Sequence, residues 1–286
     1  MTIQKILFPV DFSPSCEAMA PFVKWAAELL SARVTLLYVL EASASGFELL
    51  SRPLREAVED QKQAARKKLH SFLAREFPAE TSARLVLVGS AANRIAESAR
   101  EHAFDLITMP THAGAFRRML LGSTTAKVLN DADCPVLTTQ HAETISPRPL
   151  GPREILCAIG LQEDSARVLR FASQTAEAVH ANLTLVHVIP ASEPGSPVRL
   201  NLEEPGRSAE GQAARRRIEK LQTGVGSRAR IRIVAGPLKD SLIDAARRLR
   251  ADVLAIGRSP QPGSLGRLRD LTYAMVRDAP CPVLSV

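Results

Sequence analysis

A stretch in the first half of the chain, Phe104–Thr139, carries residue types that could bind a phosphate group. Its pattern predicts a buried strand over Asp105–Met109, a polar loop, a helix that begins at Gly122-Ser123-Thr124, and a second strand over Pro135–Thr138. The first amides of a helix have no internal acceptor, and the helix dipole adds about half a positive charge there. The glycine would let an anion approach the backbone, and the two hydroxyls could donate hydrogen bonds or cap the helix.

These residues resemble the C-terminal part of a universal stress protein domain. The signature of that family is G-x2-G-x9-G-(S/T), followed by a helix and a C-P-V-L strand. The chain keeps Gly122-Ser123-Thr124 and the strand Cys134–Leu137. Pro110 and Ala113 stand where the signature has its first two glycines, and the loop before Gly122 is one residue shorter. Because Pro110 lacks a backbone donor and Ala113 adds a Cβ, both changes would weaken or abolish phosphate contacts.

The resemblance implies an adenine nucleotide, ATP or ADP with Mg²⁺, and only in the first half. Asp11, in the segment Pro9-Val10-Asp11, stands where the family places a carboxylate against the adenine and ribose. An aspartate there could equally cap the start of the next helix, at residues 13–15. Val39 matches the family's apolar contact to adenine, although periodicity alone favours a purely structural role in the core.

Further candidate ligands flank the altered glycines. Met109 precedes them, and His112 stands where many family members carry a histidine over the phosphates, although a lone loop histidine is more often simply exposed. Arg117 and Arg118 could supply positive charge, or they could belong to a solvated loop. We therefore predict nucleotide contacts at Pro9, Asp11, Val39, Met109, His112, Gly122, Ser123 and Thr124.

The chain contains an internal duplication. KILFPVDFSPSCEAM, from Lys5, returns as EILCAIGLQEDSARV, from Glu154, at an offset of 149 residues. CPVLTT, from Cys134, returns as CPVLSV, from Cys281, at an offset of 147 residues. Agreement between distant segments indicates two copies of one domain. The predicted organisation is a first domain, a linker and a second domain over residues 1–140, 141–152 and 153–286.

Strands alternate with helices in each copy, which predicts an open, doubly wound, Rossmann-like α/β domain made twice. The resemblance adds five parallel strands in the order 3-2-1-4-5 and a ligand site at their carboxyl ends. It also implies an internal pseudo-dimer in which the fifth strands, Val136–Thr138 and Val283–Ser285, meet, since each would otherwise be an exposed edge.

The second copy has lost more of the signature. Gly160 replaces the residue equivalent to Asp11, and Pro260 replaces the second glycine, although Gly257 restores the first. Arg269-Asp270 stands where the first copy has Gly122-Ser123. We predict that the helix before Cys281 begins near Asp270, whose carboxylate would cap the free amides and repel a phosphate.

Composition narrows the function classes. The first 149 residues hold 17 Lys+Arg against 16 Asp+Glu, and the remainder holds 20 against 14. The excess of positive charge is dispersed and aromatic residues make up only 4% of the chain, which disfavours a nucleic-acid partner. Four cysteines without metal spacing predict reduced thiols in a cytoplasmic protein, and neither a membrane span nor a signal peptide is predicted.

The sequence leaves two functions open. One is a regulatory protein of the stress response that binds an adenine nucleotide and hydrolyses it slowly or not at all, since no nucleophile–base pair, metal-ligand cluster or G-x4-G-K-(S/T) loop is found. The other is a ligand-free scaffold that acts through contacts with partner proteins whose identity the sequence does not indicate. A homodimer is compatible with both.

Overall fold

The computed structural model describes residues 3–41, 52–111, 121–140, 153–190, 208–258 and 265–286. They separate into two compact units, one within residues 3–147 and one within residues 148–286. The predicted linker lies outside the described residues, and the domain limits at 140 and 153 stay predictions, as does the pairing of the two fifth strands. No helix in the described ranges is long and apolar enough to cross a membrane.

The first unit alternates strands and helices from its first strand to its last. Its elements are β1 (Lys5–Pro9), α1 (Pro14–Leu30), β2 (Arg33–Leu40), α2 (Arg52–Ser71), β3 (Ala83–Val88), α3 (Ala91–Glu101), β4 (Leu106–Pro110), α4 (Ser123–Asp131) and β5 (Val136–Thr139). α1 begins at Pro14, and the Ser13 side chain caps it by accepting from the Cys16 N–H.

The strand order of the first unit is β3-β2-β1-β4-β5, with parallel pairing at each described ladder, so the predicted order is confirmed. Right-handed crossovers place α1 and α2 on one face of this sheet and α3 and α4 on the other. The order reverses between β1 and β4, and both strands point their carboxyl ends into the crevice there. The fold thus positions whatever residues follow β1 and β4.

The strands are apolar because helices cover both faces of the sheet. Ile6, Leu7 and Phe8 of β1 are fully buried, although their side chains point alternately to opposite faces. Burying an apolar side chain of this size contributes about 1.5–3 kcal/mol, so the central strand anchors the unit.

The second unit repeats this plan with the order β8-β7-β6-β9-β10. Its elements are β6 (Glu154–Ala158), α5 (Ser165–Ala178), β7 (Asn182–Ile189), α6 (Ala209–Val225), β8 (Arg230–Ala235), α7 (Leu238–Arg248), β9 (Val253–Ile256), α8 (Leu265–Asp278) and β10 (Val283–Ser285). Both copies are therefore doubly wound α/β units, as the duplication predicts.

Two predicted helix limits are wrong. The apolar spacing of residues 53–77 predicts one amphipathic helix up to Phe77, but α2 ends at Ser71. It ends there because Leu73 adopts a left-handed φ of 53° and the Arg84 guanidinium donates to the Leu69 and Phe77 carbonyls at 2.9 and 2.6 Å. The pattern also places the start of α8 near Asp270, whereas the helix begins at Leu265, five residues earlier.

Candidate functional site

A cavity of about 700 Å³ lies at the carboxyl ends of β1 and β4, where the strand order of the first unit reverses. It brings together seven of the eight predicted contacts; His112 lies outside the described residues, as do Ala113, Arg117 and Arg118. The seven that line the cavity are Pro9, Asp11, Val39, Met109, Gly122, Ser123 and Thr124.

Asp11 follows β1 at the edge of this cavity and is exposed. Its Oδ1 accepts hydrogen bonds from the Ser13 N–H at 3.0 Å and from the Cys16 thiol at 3.1 Å. Of the amides at residues 13–15, Asp11 therefore accepts from that of Ser13, which is itself the N-cap of α1. Because both contacts use Oδ1, Oδ2 has no partner among the described residues and can accept from a ligand, so the two roles are compatible.

Cys16, on the first turn of α1, is a lining residue that sequence reasoning missed. Its side chain is buried, and this burial raises the pKa of the thiol to about 12, with the negative charge of Asp11 acting in the same direction. The thiol therefore keeps its proton near neutral pH and acts as a donor to Asp11 rather than as a nucleophile.

The N-terminus of α4 also lines the cavity. Gly122 is the N-cap and, having no side chain, leaves the first amides of the helix uncapped. The backbone N–H groups of Ser123 and Thr124 have no acceptor within the described residues, in contrast to the start of α1, where Ser13 caps the helix. Uncapped amides at this end of a nine-residue helix favour an anion.

The backbones of Gly122 and Pro110 form hydrogen bonds within the protein. The Gly122 N–H donates to the Thr111 carbonyl at 3.0 Å, and a Cβ on Gly122 would lie only 3.1 Å from that oxygen. The Thr125 hydroxyl donates to the Pro110 carbonyl at 3.2 Å. A side chain at position 122 would therefore press on the Thr111 carbonyl, and the N–H of Gly122 is engaged with that carbonyl rather than available to a ligand.

One side of the cavity is apolar. Val39 and Met109 lie at the ends of β2 and β4, and Ala91 and Ile95 reach the cavity from α3. Val39 and Met109 are 9% and 5% exposed, so each serves the core and the cavity wall together. The α3 contribution was missed because sequence order does not reveal which helix turns toward the reversal point of the sheet.

The charged side chains that line the described part of the cavity are Asp11 and Glu41, both acidic. The favourable field for an anion therefore comes from the α4 N-terminus, while Asp11 and Glu41 contribute negative charge to the lining. A ligand with an anionic end and a neutral, hydroxyl-bearing end would match this separation.

The second unit treats the equivalent crevice differently. Gly160 takes the place of Asp11, as predicted from the duplication, and a Cβ there would have its nearest neighbour at 3.6 Å. A Cβ on Gly257, at the end of β9, would lie 2.6 Å from Asp164 Oδ2. The Asp164 carboxylate, at the start of α5, therefore lies directly against the Gly257 backbone, between the ends of β6 and β9.

The prediction that Asp270 caps α8 is wrong. Asp270 lies within the helix and not at its start, because α8 begins at Leu265. The carboxylate that the structure places at the crevice of the second unit is that of Asp164. Its position depends on contact between α5 and β9, which no local sequence pattern displays.

Comparison with known proteins agrees with this architecture. The model of the universal stress protein family matches residues 2–140 and again residues 152–286. Universal stress protein A homolog 1 of Coxiella burnetii is 29% identical over 140 residues, covering 47% of this chain and 95% of its own. A universal stress protein of Methanocaldococcus jannaschii is 35% identical over 146 residues, covering 48% and 82%.

A solved structure has the same fold over the whole length. The universal stress protein of Archaeoglobus fulgidus superposes with a TM-score of 0.74 at 18% identity, and the match covers 100% of this chain and 98% of that chain. Each curated relative therefore resembles about half of the chain, while this structure resembles both halves together.

Proposed function

The chain belongs to the universal stress protein family, and we propose that its first half binds one adenine nucleotide in the cavity at the carboxyl ends of β1 and β4. Membership of the family supports a role in the stress response. One observation carries the proposal of nucleotide binding: a single cavity combines an apolar wall, a carboxylate with a free oxygen, and an uncapped helix N-terminus. These are the three environments that a base, a ribose and a phosphate need.

In this proposal the adenine lies against the apolar wall formed by Val39, Met109 and Ile95. Asp11 Oδ2 accepts a hydrogen bond from a ribose hydroxyl, while Oδ1 stays engaged with Ser13 and Cys16. The phosphates lie at the start of α4, where the free amides and the hydroxyls of its first two residues can donate to them.

Magnesium would accompany a di- or triphosphate. Asp11 and Glu41 place negative charge on the same cavity wall, so a bound Mg²⁺ would reduce the repulsion between these carboxylates and the phosphates. We therefore expect Mg·ATP to bind more tightly than free ATP.

Binding is proposed for the first half alone. In the second half, the Asp164 carboxylate lies against Gly257 in the equivalent crevice, and Gly160 provides no acceptor for a ribose. A phosphate entering there would meet a like charge at short range. The proposed role is binding with slow hydrolysis or none, because the sequence carries no nucleophile–base pair and no G-x4-G-K-(S/T) loop.

Isothermal titration calorimetry of the full chain with Mg·ATP, Mg·ADP and Mg·GTP tests the proposal. One adenine nucleotide per chain, bound at least about tenfold more tightly than the guanine nucleotide, supports it. Two equivalent sites would contradict the assignment to the first half. Absence of binding for all three nucleotides would reject the proposal in favour of a scaffold that acts through protein contacts.

A further inference from the structure

A separate cavity lies in the second half between two neighbouring helices of the same sheet face. This α5–α6 groove has a volume of about 470 Å³. Its floor consists of apolar, half-buried side chains from the start of α5 and the end of α6, namely those of Leu161, Ala166, Leu221 and Val225. The volume is within the range of ligand pockets, so one or two side chains of a partner could enter it.

The same positions in the first half hold aromatic side chains. Leu161 and Leu221 correspond to Phe12 and Phe72 at the offset of 149 residues. Leu161 and Phe12 share a left-handed backbone, with φ of 57° and 61°, which supports their equivalence. The two phenyl rings pack edge to face at 5.1 Å, and Phe12 also contacts Tyr38 at 4.6 Å.

The second half therefore has a groove where the first half has a packed aromatic cluster. Two leucines in place of two phenyl rings fill less of the space between the helices. Gly224 adds to it, since a Cβ at that position would meet nothing within 4 Å. The second half thus has no aromatic side chains at positions 161 and 221 to fill this space.

The rim of the α5–α6 groove is basic. Arg170, Arg217 and Lys220 are exposed lining residues, and none of the lining residues in the described chain is acidic. Arg217 Nη2 donates to the Leu161 carbonyl at 3.2 Å, which holds its guanidinium at the edge of the floor. Neither Arg170 nor Lys220 forms an ion pair within the part of the chain that the structure describes. The groove is therefore complementary to negative charge.

We propose that the α5–α6 groove binds a short acidic segment of a partner protein. An apolar side chain of that segment enters the floor, and flanking carboxylates pair with Arg170, Arg217 and Lys220. The groove extends from Arg217 to Val225, about 12 Å along α6, which matches two turns of a helical segment. No aromatic side chain lines it to stack bases, and its open upper side would leave a small molecule largely in water.

The probe is a fluorescein-labelled 12-residue peptide of glutamates and leucines, measured by fluorescence anisotropy with the full chain. A matched peptide with serine at each leucine position tests the apolar floor, and a 12-nucleotide single-stranded DNA tests charge alone. We expect the Glu/Leu peptide to bind at least about tenfold more tightly than either matched probe.

Two variants test the groove itself. Gly224→Leu adds an apolar side chain to the lining of the groove. Its Cβ would meet nothing within 4 Å and leucine is the better helix former, so the variant is expected to fold and to lower peptide affinity about tenfold. Lys220→Glu reverses a rim charge and is expected to do the same. Arg216→Glu is the matched control, because it makes the same charge change on α6 outside the lining residues and is expected to leave affinity within about twofold.

Leu161→Phe with Leu221→Phe restores the first half's own residues and should also abolish binding. Thermal unfolding of every variant checks that the second unit is intact. Equal binding of the serine peptide or the DNA, unchanged affinity in Gly224→Leu, or equal losses in Lys220→Glu and Arg216→Glu would each overturn the proposal.

Discussion

The two halves of the chain keep one strand order but differ in which space they leave open. In the first half the crevice between β1 and β4 is a cavity of about 700 Å³, while aromatic side chains occupy the position beside α2. In the second half the carboxylate of Asp164 lies in the crevice, and the position beside α6 is a groove of about 470 Å³. The two copies therefore present different surfaces on the same scaffold.

This difference shows how little of a fold must change to move a binding site. Strand order is the same in both copies and the central strand of each is buried, since a parallel sheet covered on both faces depends on continuous apolar strands. The open spaces depend on a few side chains that follow the strands or face between helices, such as Asp11 against Gly160 and Phe12 against Leu161. Function resides in these residues, and the scaffold holds them.

The change expected to have the largest effect breaks the open crevice of the first half. Ser123→Asp places a fixed negative charge at the start of α4, where the phosphates are proposed to lie. We expect the affinity for Mg·ATP to fall about 10- to 100-fold through repulsion, measured by calorimetry. The helix itself should tolerate the change, because an acidic residue in the first turn is favoured by the dipole.

Ser123→Asn is the matched control for that prediction. It has a similar size and also removes the hydroxyl, but it adds no charge, so its loss of affinity should be much smaller. Equal losses in the two variants would show that charge at this helix start does not govern binding, and the phosphates would then have to lie elsewhere.

The second prediction concerns the closed crevice of the second half. Gly257→Ala would place its Cβ 2.6 Å from Asp164 Oδ2 and 3.2 Å from Val168 Cγ2. Because the carboxylate is the end of a side chain that can turn away, we expect the free energy of unfolding to fall by only about 1 kcal/mol in chemical denaturation. Gly160→Ala, whose Cβ would have its nearest neighbour at 3.6 Å, is expected to change stability little.

A double-mutant cycle identifies the cause of that loss. Adding Asp164→Ala to Gly257→Ala removes the atom that clashes, so the pair should lose less stability than the sum of the single changes. Strict additivity would show that the Asp164 carboxylate does not lie against Gly257 in solution, and the contrast between the two crevices would fail.

Much of the fold could be predicted because its signals are local. Continuous apolar strands, such as that around Leu7, and repeated segments indicate a parallel α/β unit made twice. Helix ends were less predictable, because they depend on distant side chains. The Arg84 guanidinium takes up carbonyls at the end of α2 from the following strand, which the helical pattern up to Phe77 does not reveal.

The candidate site could be predicted in part for the same reason. Asp11 and Gly122 stand at recognisable positions after a strand and before a helix, and the cavity brings them together. The contact of Asp164 with Gly257 joins residues 93 positions apart, so sequence reasoning chose Asp270 in its place. The α5–α6 groove was missed because it results from smaller side chains, Leu161 and Leu221, where the first half has phenyl rings, and their position between two helices is not visible in the sequence.

The smallest expected change in nucleotide affinity concerns Cys16, which differs between the two halves. In the second half its counterpart is Ser165, whose Oγ accepts from the Gln162 N–H, whereas the Cys16 thiol donates to Asp11 Oδ1. Cys16→Ala removes that donor and lets the Asp11 carboxylate turn, so the affinity for Mg·ATP should fall about threefold, since a thiol is a weak donor. Cys16→Ser keeps a donor and should bind like the wild type.

Because the pKa of the thiol is raised to about 12, its proton is retained near neutral pH. The difference in Mg·ATP affinity between the wild type and Cys16→Ala should therefore stay constant between about pH 6 and pH 9. Equal affinities for the wild type and Cys16→Ala in calorimetry would mean that the Ser13 amide alone orients Asp11.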